Sequence, residues 1–233
     1  MSSQFSIFSV VLIFLGGQCF YGVNGNYAPQ EEEVTDISGR WYAVMSTGCT
    51  DGQDCSIFSN NQKPCSCILA NFINLQNSSW LVYMSAVNIE TSKLTVDLGG
   101  ASCASPNNVK EIQGFIYSRA STSLSVISQS ECSITEKVNG CKFFLRYKMT
   151  IIASSLQYGY MITSMPIIEG SNSGQTLTVI WCRNKTPGKA TIWTQIVQHM
   201  KRINMDIHKL AFINQLDCKY PSQNQCNEMF FCA

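Results

Sequence analysis

The side chains that could do covalent or acid–base chemistry in this chain are few and badly placed for it. There are two histidines, His199 and His208, against twelve cysteines in 233 residues. A serine or cysteine nucleophile needs a base within hydrogen-bond reach. Both histidines fall in a C-terminal segment whose spacing puts them outside the main apolar pattern, so each reads as a solvent-facing residue. Carboxylates are scattered and supply no general acid–base pair. Gly48, Gly52, Gly99 and Gly100 open no helix and make no phosphate cradle. Cys65-Ser66-Cys67 is the one short-spaced thiol constellation. It could hold a metal or cycle as a redox pair, but among so many cysteines two separate structural bridges is the simpler reading. No catalytic residue, metal ligand or catalytic cofactor is nominated.

The cysteines instead describe a compartment. Ile7 to Leu15 is an apolar run followed by small residues and a polar exit at Asn24-Gly25-Asn26, which reads as a secretory signal peptide over residues 1–25 despite an n-region without Lys or Arg. Cys19 leaves with it, and eleven of the twelve cysteines remain. That is a disulfide framework in a secreted, extracellular protein, with an odd thiol left reduced or bridging a homodimer. Cys132 with Cys141 across a short loop, and Cys226 with Cys232 in the tail, are pairable by proximity. Cys49, Cys55, Cys65, Cys103 and Cys182 cannot be partnered this way. Asn77-Ser78-Ser79 and Asn184-Lys185-Thr186 are glycosylation sequons. A net charge of +1 gives no electrostatic case for nucleic acid or an anionic membrane. No later stretch reaches the ~18 apolar residues of a membrane span. Glu31-Glu32-Glu33 is a solvated leader.

Residues 26–233 suit a single β-rich domain. Alternation predicts strands near 40–47, 66–75, 80–90, 109–119, 122–130, 143–151, 156–165 and 175–183. A cysteine-rich loop over 48–66 separates the first two. Residues 91–108 contain Gly99-Gly100 and Ser105-Pro106-Asn107-Asn108, and are read as an insertion, an extra hairpin arm. The sixth strand alternates most clearly: Phe143, Leu145, Tyr147, Met149 and Ile151 are apolar, with Arg146, Lys148 and Thr150 between them. The period then changes. Ile192, Ile196, Val197, Met200 and Ile203 predict one amphipathic helix from about Ala190 to Asn204. A short strand near 207–213 and a cysteine-containing tail follow.

Two ends of this pattern carry a resemblance. Gly39-Arg40-Trp41-Tyr42 opens the first strand, and Thr178-Val179-Ile180-Trp181-Cys182-Arg183 ends the eighth, just before the helix. Together with Cys67-x-x-Ala70-x-Phe72 and Cys218 they resemble the lipocalins, most nearly the apolipoprotein D and insect bilin-binding branch. The resemblance implies an all-β fold, an eight-stranded up-and-down antiparallel β-barrel with one C-terminal α-helix packed outside. It implies a closed end in which Arg183 packs on Trp41 next to Gly39, and a Cys67–Cys218 disulfide. The family's middle signature is not recognisable in residues 153–158.

If the dry face of the sixth strand points inward, Phe143, Leu145, Tyr147 and Met149 line a cavity. Met45, Ile68, Ala70, Phe72, Gly114, Ile116, Leu177 and Val179 join them from other strands. Such a barrel is wide enough to fill itself or to hold one small molecule. The expected function is a secreted, non-enzymatic carrier of a small hydrophobic ligand: a bilin, sterol, retinoid or fatty acid. Two alternatives stay open. One is a cysteine-rich interaction protein with a filled barrel. The other is a thiol-dependent lipid isomerase, as in lipocalin-type prostaglandin D synthase, should Cys65 be free and inward-facing.

Overall fold

From Gly39 onward the alternating apolar residues fold as antiparallel strands in the computed structural model, which describes residues 13–15, 18–20, 36–47, 65–76, 78–88, 93–103, 109–123, 145–169, 173–188, 190–218 and 220. Eight strands make the wall: β1 (Gly39–Ser46), β2 (Cys65–Gln76), β3 (Ser79–Asn88), β4 (Lys93–Cys103), β5 (Glu111–Ser123), β6 (Leu145–Ser155), β7 (Tyr160–Glu169) and β8 (Thr176–Cys182). Each pairs with the next, and β8 returns to β1 through Val179↔Ser46, Ile180↔Met45, Trp181↔Ala43 and Cys182↔Tyr42. That last ladder curls the sheet into a closed antiparallel barrel without long free edges. After it come helix α1 (Ala190–Arg202), a 3₁₀ turn at Ile207–Lys209 and the two-residue strand β9 (Ala211–Phe212). Residues 13–15 and 18–20 pair antiparallel as a separate two-stranded sheet, and the rest of the expected signal peptide lies outside the described residues.

The strand count agrees with expectation, but the membership does not. Residues 93–103 are not an insertion: they are β4, paired along their length with β3 and β5. The two glycines that read as breakers serve a close approach. A Cβ on Gly99 would stand 2.0 Å from the Phe115 carbonyl oxygen, and one on Gly100 2.6 Å from the Phe115 ring. The neighbouring strand can lie flush only because both side chains are missing. The strand expected at 122–130 overlaps only the end of β5 and otherwise lies outside the described residues. Between β6 and β7 there is a turn at 156–159, with Gly159 at φ +65°, so β7 starts later than its alternation suggested.

Inward-facing residues make one apolar cluster that includes Trp41, Ala70, Phe72, Ile116, Met149 and Val179. Helix α1 lays Ile196 and Met200 on the outside of the barrel against Val44, Met45, Ile162 and Ile180. Burying those two side chains favours docking by about 1.5–3 kcal/mol each. His199 departs from its expected place. It is buried in the same seam at 1% exposure, and its Nδ1 lies 2.8 Å from the Tyr160 hydroxyl.

At one end of the barrel β1 and β2 separate. Their ladder runs only from Gly39↔Phe72 to Tyr42↔Leu69, after which β9 takes over beside β1 through Ala211↔Ser46 and Phe212↔Met45. The chain continues into the gap. Ile213 N donates to Val44 O, and Cys67 N donates to Asn214 O. Gln215, buried, donates its amide to both Ala43 O (2.7 Å) and Ile68 O (2.9 Å). Tyr220 donates to Gln215 Oε1, which orients that amide. The wall carbonyls that the split leaves without a ladder partner are therefore satisfied by one side chain. The Cys67–Cys218 disulfide pins the wedge in place.

Candidate functional site

The site is the barrel interior, and its geometry begins at the closed end. Asp36 accepts from Ser38 N and Ser38 Oγ, a tight turn that delivers the chain to Gly39 at φ +93°. Trp41 then enters the barrel, 1% exposed, its indole N–H donating to Ile37 O at 2.8 Å. Arg183, the residue just after β8, covers it: the guanidinium carbon is 3.7 Å from the Trp41 ring centroid, and Nη1 donates to Arg40 O at 3.1 Å. A planar cation can stack on the indole and bond a carbonyl at the same time, which an ammonium cannot. Burial lowers the proton affinity of Arg183 and Asp36 raises it, without costing the charge. Gly39 leaves the space: a Cβ there would sit 3.0 Å from Nη1. Trp80 adds a second ring, donating to Ser38 Oγ. Gly39, Trp41 and Arg183, expected together at the closed end, are thus brought into contact from the two ends of the strand set.

Most of the cavity candidates converge. Ile68, Ala70, Phe72, Ile116, Tyr147, Met149, Leu177 and Val179 share the interior cluster. Gly114 is inside as well, but as a seat: a Cβ there would fall 2.1 Å from the Tyr147 ring, so the phenol lies across it. Leu145 stands opposite Ile116 on the β5–β6 ladder with its side chain outside the described residues, where Phe143 also lies.

Met45 is a correction. It packs outward with α1, not into the interior. The β8–β1 register shifts between Ile180 and Trp181, so two β1 steps oppose one and alternation slips after Ala43. Strict alternation would put Cys65 and Cys67 on one face; instead Cys65 belongs to the interior cluster and Cys67 to the outer one. A left-handed backbone at Cys67, φ +55°, and a register shift between Ser66 and Leu69 turn the strand between them. Cys65 is itself disulfide-bonded, which removes the thiolate an isomerase would need there. Among the described residues Cys103 and Cys182 are reduced. Cys182 is buried beneath α1, and that burial pushes its thiol up to about 12, making it inert.

Cys132, Cys141, Cys226, Cys232 and Asn77 lie outside the described residues; Asn184 is exposed. No group of metal-ligating side chains occurs among the described residues, and no helix there is long and apolar enough to cross a membrane. The interior cluster also holds residues that the expected lining left out, among them Met84 on β3 and Met161 and Met165, which alternate on β7. Ile213 reaches the interior cluster from the C-terminal wedge, which no periodicity foretells.

No protein-family model matches the sequence, and no curated protein matches it. Solved structures do. The tryptamine complex of the amine-binding protein of Rhodnius prolixus aligns at TM-score 0.54 and 10% identity, covering 89% of this chain and 93% of that one. The fold is that of the lipocalins. A selenomethionine derivative of a biogenic amine-binding protein aligns at TM-score 0.54 and 11% identity, over 87% of this chain and 95% of that one. Lobster apocrustacyanin A1 aligns at TM-score 0.46 and 11% identity, over 76% and 77%. In the lipocalin fold the end opposite the Trp41–Arg183 seal is the mouth. At that end β2 begins at Cys65, β3 ends at Asn88, β4 begins at Lys93, β7 ends at Glu169 and β8 begins at Thr176.

Proposed function

We propose that this chain is a secreted carrier that captures one small hydrophobic molecule inside the barrel. The observation that carries this reading is the interior itself: a sheet closed by the β8–β1 ladder, sealed at one end by Arg183 on Trp41, and lined mainly by apolar side chains such as Ile68, Phe72 and Val179. Apolar enclosure with few polar groups is what small-molecule sites look like. Burying ~300 Å² of ligand at ~25 cal/mol per Å² favours binding by several kcal/mol before association costs. Met84, Met149, Met161 and Met165 give that wall adaptability. The Cys67–Cys218 bridge supports placement in the apolipoprotein D and insect bilin-binding branch, and with it a bilin, sterol, retinoid or fatty acid as cargo. Capture is an equilibrium, with no covalent step. The structural disulfides, the signal-like leader and the sequons support secretion, with glycans at Asn77 and Asn184.

The test is titration of delipidated protein with biliverdin, retinol, cholesterol and oleate, followed by tryptophan emission. One saturable site for at least one ligand is expected; linear, unsaturated quenching by all four overturns the reading. A second reading, a filled barrel that works through its cysteine-rich loops, is favoured by one contact, the Tyr147 ring seated on Gly114. A disulfide-linked homodimer belongs to that reading, and a monomer on electrophoresis without reductant removes it.

A further inference from the structure

The interior is not apolar throughout. On β4 the residues facing Ala86 and Met84 of the interior cluster are Thr95 and Asp97, at 1% and 2% exposure. Their outward neighbours Leu94, Val96 and Leu98 belong to the outer cluster instead. Strand β4 has therefore reversed the usual pattern over five residues, polar inside and apolar outside. A hydroxyl and a carboxylate facing inward cost free energy unless something answers them. Thr95 Oγ1 is buried and meets no hydrogen-bond partner among the described residues. Tyr147 brings a third polar atom from β6. Its hydroxyl is also fully buried, and burial first, then the nearby Asp97 charge, keep the phenol protonated and able to donate. A carboxylate has about four acceptor sites, so the interactions Asp97 already makes within the protein leave others available.

Along their strands Thr95 and Asp97 lie nearer the Lys93 end of β4 and Tyr147 nearer the Leu145 end of β6, the ends opposite the Trp41–Arg183 seal. A ligand entering with its apolar body first would leave its polar head at this level. We propose that Thr95, Asp97 and Tyr147 form the head-group end of the ligand site, and that the cargo is an amphiphile whose head donates a hydrogen bond, an alcohol or an amine, on an apolar body. This rests on the carrier reading and narrows it. A carboxylate head offers Asp97 a like charge and no proton, and a bare hydrocarbon leaves Thr95 unanswered. Such polar discrimination inside an apolar site is large, because the penalty falls on buried groups that lose their partner.

The test uses a matched series of decan-1-ol, decylamine and decanoate, each displacing a fluorescent fatty-chain probe from the full-length protein. The alcohol or the amine is expected to bind about tenfold tighter than decanoate, the size of one well-made hydrogen bond in a buried site. Alcohol ahead of amine marks a neutral head; amine ahead, with the advantage lost in Asp97→Asn, marks a cation. Thr95→Val is the control that keeps the fold. Removing a buried hydroxyl without a partner should leave the melting temperature equal or higher while weakening the preferred ligand about three- to tenfold. Equal affinity for the three chains, or tightest binding of decanoate, overturns the inference and leaves the carrier standing. So does an unchanged affinity in Thr95→Val. Failure of the probe and all three chains to bind overturns both.

Discussion

Replacing Arg183 by alanine should unseal the closed end, and the structure sets the size of the effect. The substitution removes a guanidinium 3.7 Å from the Trp41 ring centroid and its hydrogen bond to Arg40 O at 3.1 Å. Cation–π contacts contribute about 0.5–1 kcal/mol when exposed and about 2 when desolvated. Arg183 is partly exposed, so a value near the lower bound applies. The charged hydrogen bond adds about 1–1.5 kcal/mol, at the low end of its range for the same reason. The expected loss is about 2 kcal/mol, or a melting temperature lower by about 4–8 °C in a domain of this size. Urea unfolding read by tryptophan emission, with the disulfides intact, measures it. Arg183→Lys should recover less than half, since a lysine cannot stack and bond the carbonyl together. Paired with Trp41→Leu in a double-mutant cycle, Arg183→Ala should show a coupling of about 1 kcal/mol. A coupling indistinguishable from zero, or Arg183→Ala within ~0.5 kcal/mol of the parent, would refute the closed-end argument.

Gly114→Ala places a methyl 2.1 Å from the Tyr147 ring, so it should destabilise by about 1–3 kcal/mol and weaken ligand binding as the ring is displaced; calorimetric melting and probe titration read both. Cys67→Ser with Cys218→Ser opens a loop of 151 residues, for which the chain-entropy relation gives an upper value of about 5 kcal/mol. Because Ile213 would lose its tether, the same variant should bind the probe less tightly, which a refolded double mutant would show. Tyr160→Phe leaves buried His199 without its hydroxyl partner and should cost about 1–3 kcal/mol by urea titration. Alkali should destabilise the fold: burial pushes the Cys182 thiol and the Tyr83 phenol each up to about 12. Below pH ~9 neither form differs in charge, but above it the unfolded chain loses protons that the native state keeps, so stability falls as pH rises from ~9 toward 12. Unfolding curves across that range check the sign, and Cys182→Ala should flatten the slope.

What was legible in the sequence was whatever depends on one residue type at one place. The packing of Arg183 on Trp41 came from the family resemblance, which ties one residue type to one place at each end of the strand set. The Cys67–Cys218 bridge followed from the family resemblance. Features that depend on a neighbouring strand were not legible. Gly99 and Gly100 break a strand in isolation but fit one that passes Phe115 closely. Met45 was assigned to the wrong face, and Cys65 parts from the face of Cys67, because alternation assumes a continuous ladder, and the register shifts opposite Ile180–Trp181 and after Ser66 interrupt it. His199 did leave a trace: with Ile196, Met200 and Ile203 it completes an i, i+3, i+4, i+7 stripe. Its polarity argued for solvent, and the Tyr160 hydroxyl that makes burial tolerable lies 39 residues away. Gln215, which bonds two wall carbonyls, carried no pattern at all.

Native mass spectrometry of the protein purified from its source, recorded with its absorption spectrum, addresses the carrier claim most directly. The account predicts one small organic adduct per chain that survives gentle ionisation and leaves on denaturation. A chain that always flies at its bare mass, and takes up no apolar molecule when offered a panel of them, would contradict it.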